Sequence, residues 1–125
     1  MKILHAMIRV KDIKESIKFY CELLGLQKTH EIKLEDCLLH FLKDNSGEFE
    51  IELTENFETP KSGYSQGTKF GHFAFETEDM GKFDKKVKEM GYTYVYEPFI
   101  MKEAKSKIAF LKDPDGNEIE IIQKL

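Results

Sequence analysis

Phe41-Leu42-Lys43-Asp44 recurs as Phe110-Leu111-Lys112-Asp113, and each copy runs into a turn ending in glycine, Asn45-Ser46-Gly47 in one and Pro114-Asp115-Gly116 in the other. An alternation of acidic and apolar residues follows both turns. Upstream, His5 and Asp12 match His72 and Asp79, so the copies stand about 68 residues apart throughout. Self-similarity at one spacing means two copies of a single supersecondary unit, and that unit is what has to be explained.

Each copy reads the same way. A strand alternates over Ile3 to Val10 and again over Phe70 to Thr77, after which Asp12 or Asp79 can accept the first free amides of a helix. Glu15, three residues after Asp12, completes the pattern of a capping box. The first helix carries Ile13, Ile17, Tyr20 and Leu24 at helical spacing and stops at Gly25; the second carries Met80, Phe83, Val87 and Met90 and stops at Gly91. Three more strands follow each helix, over Gln27 to Ile32, Leu38 to Leu42 and Glu48 to Thr54, then over Tyr92 to Tyr96, Lys107 to Leu111 and Glu118 to Ile122. The predicted unit is β-α-β-β-β, occurring twice. Its modules span about 1–56 and 69–125, and the Pro- and Gly-bearing stretch 57–68 is read as the loop between them.

The rest of the chain narrows the function. At 125 residues, 41% hydrophobic and 34% charged, it has material for one compact globular domain. A net charge of −4 without any basic tract lacks the footprint of a nucleic-acid binder. No apolar run approaches the roughly 20 residues that span a bilayer, and Met1-Lys2-Ile3-Leu4-His5 has no signal-peptide core, so the expected location is the cytoplasm. Cys21 and Cys37 form no CxxC and are expected to be reduced and structural.

Period-two alternation divides each strand between two faces. Leu4, Ala6, Ile8 and Val10 oppose His5, Met7 and Arg9; Phe49, Ile51 and Leu53 oppose Glu50, Glu52 and Thr54; Phe73 and Phe75 oppose His72 and Ala74; Ile119 and Ile121 oppose Glu118 and Glu120. His30 and His40 read as ordinary strand histidines. His5 and His72 differ because they are equivalent in the repeat and each copy adds glutamates on its last strand. Two imidazoles and two carboxylates suit a divalent zinc, nickel, cobalt or iron(II) ion, while the same glutamates also suit the solvated face of a sheet.

On these residues the chain resembles the vicinal-oxygen-chelate fold family, and within it the short bacterial glyoxalase I (lactoylglutathione lyase) enzymes. The carriers are Leu4 to Val10, Ser16 to Tyr20 running to Leu24-Gly25-Leu26, Ile51 to Asn56, Gly71 to Ala74, and Asp113-Pro114-Asp115-Gly116-Asn117-Glu118-Ile119-Glu120. The resemblance covers essentially the whole chain. It implies an α+β fold of tandem βαβββ repeats forming a curved sheet cavity. It also implies metal ligands at His5, Glu52, His72 and Glu120, and thiol contacts from Arg9 and Asn56. Glutamate rather than glutamine at Glu52 favours glyoxalase I over the acyl-CoA epimerases, which usually carry glutamine there. It likewise counts against the thiol-transferring resistance enzymes, and the full four-ligand set against non-enzymatic drug-binding modules.

The implied reaction is isomerisation of the methylglyoxal–glutathione hemithioacetal to S-D-lactoylglutathione. Glu120 is the implied base, Glu52 its partner, and one divalent metal per site the cofactor, nickel or cobalt ahead of zinc. Met7 is expected to shield the reacting carbon from water. Thr68 stands where longer relatives have an arginine, which leaves Lys69, Lys102, Lys105 and Lys107 as candidates for a second cationic anchor. Ligands drawn two from each half can be assembled within one chain or between two, and a homodimer is expected.

Overall fold

The computed structural model describes residues 1–125, and the chain divides into two compact units, Met1–Ser65 and Gln66–Leu125. The boundary falls inside the stretch read as a linker, because that stretch bonds to both sides. Lys11 Nζ donates to the Lys61 carbonyl at 3.2 Å and Asn56 Nδ2 to the Tyr64 hydroxyl at 2.9 Å, so residues 57–65 fold with the first unit. Gln66 Nε2 donates to the Asp115 carbonyl at 2.5 Å, which ties it to the second. The division between the units, after Ser65, falls inside the 57–68 stretch.

The first unit contains β1 (His5–Arg9), α1 (Ile13–Ile17) continuing into a π-helical segment (Lys18–Leu23), β2 (Gln27–Lys33), β3 (Cys37–Lys43) and β4 (Glu50–Asn56). The second contains β5 (His72–Glu76), α2 (Met80–Glu89), β6 (Tyr94–Met101), β7 (Ser106–Lys112) and β8 (Glu118–Lys124). Each unit holds one four-stranded mixed sheet, ordered β1-β4-β3-β2 and β5-β8-β7-β6. In both, the first strand pairs parallel with the last while the remaining pairs are antiparallel. The βαβββ unit occurs twice, as the repeat requires.

Asp12 Oδ1 accepts the amides of Lys14 (3.0 Å) and Glu15 (3.3 Å), and Asp79 Oδ1 accepts that of Lys82 (3.0 Å). The reciprocal capping-box bond from Glu15 is not made; one Asp12 oxygen takes both first-turn amides instead. The first helix also departs from its predicted face. The Leu24 amide reaches back five residues to the Phe19 carbonyl at 3.1 Å, and this wider turn rotates the chain. Tyr20 is buried as predicted and Ser16, Phe19 and Leu23 join it, while Ile13, Ile17 and Leu24 are only half-buried. In the regular helix α2, Met80 and Val87 are buried as spaced.

The remaining core of the first unit is Val10, Leu26, Cys37, Phe41, Leu42, Ile51 and Leu53, and that of the second Ile108, Ala109, Leu111, Ile119 and Ile121. Val10, Ile51, Leu53, Ile119 and Ile121 lie on the apolar faces assigned by alternation, and each large core side chain contributes roughly 1.5–3 kcal/mol by leaving water. The two repeated turns use one device. Asp44 Oδ1 accepts from Ser46 and Gly47, and Asp113 Oδ1 accepts the amides of Asp115 (2.9 Å) and Asn117 (2.8 Å). Gly47 and Gly116 supply the left-handed residue at φ +66° and +88°. The turns thereby set the register of β4 and β8 against β3 and β7.

Candidate metal centre and substrate arm

Parallel pairing brings the first and last strands of each sheet side by side, with Met7 opposite Glu52 and Ala74 opposite Glu120. In the first unit His5 Nε2 lies 3.1 Å from Glu52 Oε2, and in the second His72 Nε2 lies 3.0 Å from Glu120 Oε2. The imidazoles are about 40% exposed while the carboxylates are nearly covered, 42% against 9% and 39% against 16%. In each pair an exposed imidazole stands beside a largely covered carboxylate, an arrangement that can present both groups to one ion. Within each unit the pair stays a pair, with no third His, Cys, Asp or Glu completing a metal-holding group.

The repeated phenylalanine supports both pairs. Phe41 is in register with Glu52 and meets the His5 ring edge-on at 5.8 Å; Phe110 is in register with Glu120 and meets His72 edge-on at 5.6 Å. Beyond them, His30 stacks on Phe41 at 4.3 Å and Tyr96 meets Phe110 at 5.9 Å. Neither phenylalanine is a candidate by residue type alone. The identical Phe-Leu-Lys-Asp copies carried the signal, since a repeat that keeps its ligands also keeps what orients them.

Arg9 lies exposed beside Thr54, and Asn56 ends β4 on the same face, next to a cleft of about 760 Å³ lined by Glu35, Asp36, Phe57 and Glu58. The equivalent places in the second unit hold Glu76 and Lys124, which form an ion pair at 3.1 Å. The histidine–glutamate pairs therefore repeat, and the Arg-Asn arm does not. Met7 is 43% exposed on the same face as His5 and Arg9.

The other candidates separate from this face. His40 is buried, 2.9 Å from Glu55 Oε2, on the face opposite Glu52. Glu50 pairs with Lys43 at 3.4 Å. Lys107 lies on the face of β7 away from Glu120 and lines a small pocket with Asp84 and Lys88, and Lys102 and Lys105 belong to the β6–β7 turn. Cys21 and Cys37 are free, and burial pushes both thiols up, which disfavours a thiolate nucleophile.

Residues 2–121 match the family model described as Glyoxalase/Bleomycin resistance protein/Dioxygenase superfamily, and the chain belongs to that family. Among its relatives are a probable lactoylglutathione lyase from Synechocystis, 39% identical over 98% of this chain and 95% of its own length, and a lactoylglutathione lyase from Haemophilus influenzae, 39% identical over 98% and 93%. The crystal structure of glyoxalase I from Zea mays superposes with a TM-score of 0.87 at 35% identity, covering 98% of this chain and 44% of the maize chain. The chain thus spans nearly all of the two bacterial relatives and under half of the maize protein.

Proposed function

We propose that this protein is a lactoylglutathione lyase, a glyoxalase I that isomerises the hemithioacetal of methylglyoxal and glutathione to S-D-lactoylglutathione and so removes methylglyoxal. The observation that carries this reading is the twice-built histidine–glutamate pair, His5 with Glu52 and His72 with Glu120. The donor set fits a divalent ion of the nickel, cobalt or zinc kind, being two imidazole nitrogens and two carboxylates with the imidazoles accessible. These four residues are the proposed ligands of one metal per site, nickel or cobalt ahead of zinc. A divalent ion held by them supplies a Lewis acid beside the oxygens on which charge develops.

The hydrogen moves from the thiol-bearing carbon to its neighbour, and no outside oxidant is needed. Glu120 takes the proton as general base, and the bonding pair moves toward the neighbouring carbonyl oxygen. Glu52 accepts the hydroxyl proton of the thiol-bearing carbon and gives it to the neighbouring carbon, while the proton on Glu120 passes to the neighbouring oxygen, leaving a thioester, a hydroxyl and both carboxylates ionised. Arg9 holds the carboxylate end of the thiol peptide with its planar fork, and Asn56 contacts the peptide backbone. Met7 excludes water from the reacting carbon. Two ligands per half are completed in a homodimer, and the free cysteines accord with action in the cytoplasm.

The test is thioester formation from methylglyoxal and glutathione with metal-stripped protein titrated with nickel, cobalt and zinc. Activity should return with metal and fall by about 10²–10⁴-fold in Glu120→Gln. Restoration of activity on a CoA thioester, with none on the glutathione adduct, would move the protein to the epimerase class.

A further inference from the structure

The two histidine–glutamate pairs match in distance and in their supporting phenylalanine, yet their carboxylates are held differently. Glu52 is 7% exposed, and its Oε1 accepts a hydrogen bond from the Thr54 hydroxyl at 3.1 Å, while Oε2 faces His5. Both oxygens are engaged, and Thr54 is itself 5% exposed, so the hydroxyl has no bulk water to turn to. In the second repeat the residue two places after Glu120 is Ile122, which offers no donor. The polar contact of the Glu120 carboxylate is His72 alone, and its side chain is the more exposed of the two, 16% against 9%.

A buried carboxylate with a hydroxyl donating to the oxygen turned away from its histidine is restrained in its terminal rotation, because turning it breaks a hydrogen bond that water does not replace. A carboxylate held on one side only rotates at lower cost. We propose that Thr54 is a positioning residue that fixes Glu52 as the stationary carboxylate of the pair, and that Ile122 leaves Glu120 free to swing between its histidine and the substrate. The inference rests on the ligand assignment above and adds the reason why two equivalent glutamates take unequal roles. Thr54 also lies in register beside Arg9 and two residues before Asn56, so one strand carries the ligand, its clamp and the thiol arm in sequence.

Thr54→Val keeps the shape and removes the hydroxyl, Thr54→Ser keeps the hydroxyl, and Ile122→Thr gives the second repeat the donor it lacks. Nickel affinity of the metal-stripped protein is measured by competition with a chromophoric chelator, alongside kcat and KM. Thr54→Val should bind nickel about tenfold more weakly or worse, as loss of a ligand-orienting partner does, and Thr54→Ser should restore it. Ile122→Thr should bind nickel at least as tightly as the parent and lose kcat severalfold at unchanged KM. Glu52→Gln is the control on the ligand assignment. If it binds nickel as the parent does, that assignment fails; if it loses nickel while Thr54→Val does not, the clamp alone is overturned. Unchanged kcat in Ile122→Thr would overturn the asymmetry. Should Thr54→Val not fold, the Ser and Ile122 variants still decide.

Discussion

Arg9 and Asn56 in the first repeat correspond to Glu76 and Lys124 in the second, and that exchange is why the proposed thiol arm belongs to one repeat only. Glu76 and Lys124 neutralise one another, whereas Arg9 presents an exposed cation in register beside Thr54. Replacing Arg9 by Met should raise KM by about tenfold or more and leave kcat within a few-fold, because a contact remote from the reacting carbon acts equally on bound substrate and transition state. Steady-state kinetics with glutathione adducts checks this, and a kcat effect as large as the KM effect would move Arg9 to the reacting centre. At this scale the repeat marked His5 and His72 as equivalent and put glutamates on the same face, while the choice of Glu52 and Glu120 among them came from the family resemblance. Thr54 was assigned only to a face, because whether a threonine hydroxyl meets Glu52 depends on rotamers that no alternation pattern reports.

The elements show where periodicity suffices and where it fails. Helix α2 buries Met80 and Val87 of its predicted face and leaves Phe83 and Met90 half-buried, while the first helix buries Tyr20 as its spacing requires and adds Phe19 and Leu23 in the π-helical segment. An extra residue per turn leaves no mark in a list of apolar positions. Asp79 carries a further consequence for pH. The Lys82 amide, chiefly, and the charges of Lys82 and Lys107 hold its carboxyl below the ordinary 3.8, while desolvation opposes them. A depressed folded-state pKa means the unfolded chain takes up the proton more readily, so the cap's contribution is complete above the unfolded value and is lost as pH falls through the folded one. Urea midpoints followed from about pH 5 down to about pH 3 should fall less in Asp79→Ala than in the parent. Parallel curves would place the acid sensitivity elsewhere.

For the molecule as a whole, the proposed ligand set, two residues from each half, makes assembly a functional matter. Sedimentation should give a species of twice the 14.6 kDa chain mass, and an active species at the single-chain mass would sink the homodimer. No helix is long and apolar enough to cross a membrane. The sequence by itself determined the doubled βαβββ unit, the face on which His5, Glu52, His72 and Glu120 lie, and the aspartates and glycines of the caps and turns, because each follows from periodicity or from local backbone chemistry. Only the tertiary structure decided that the boundary falls at residue 65, that the first helix turns wide, that Phe41 and Phe110 meet the histidines edge-on, and that the Thr54 hydroxyl donates to Glu52. Those features depend on which side chains meet across strands far apart in sequence, and on rotamers chosen by burial, which a one-dimensional pattern does not contain.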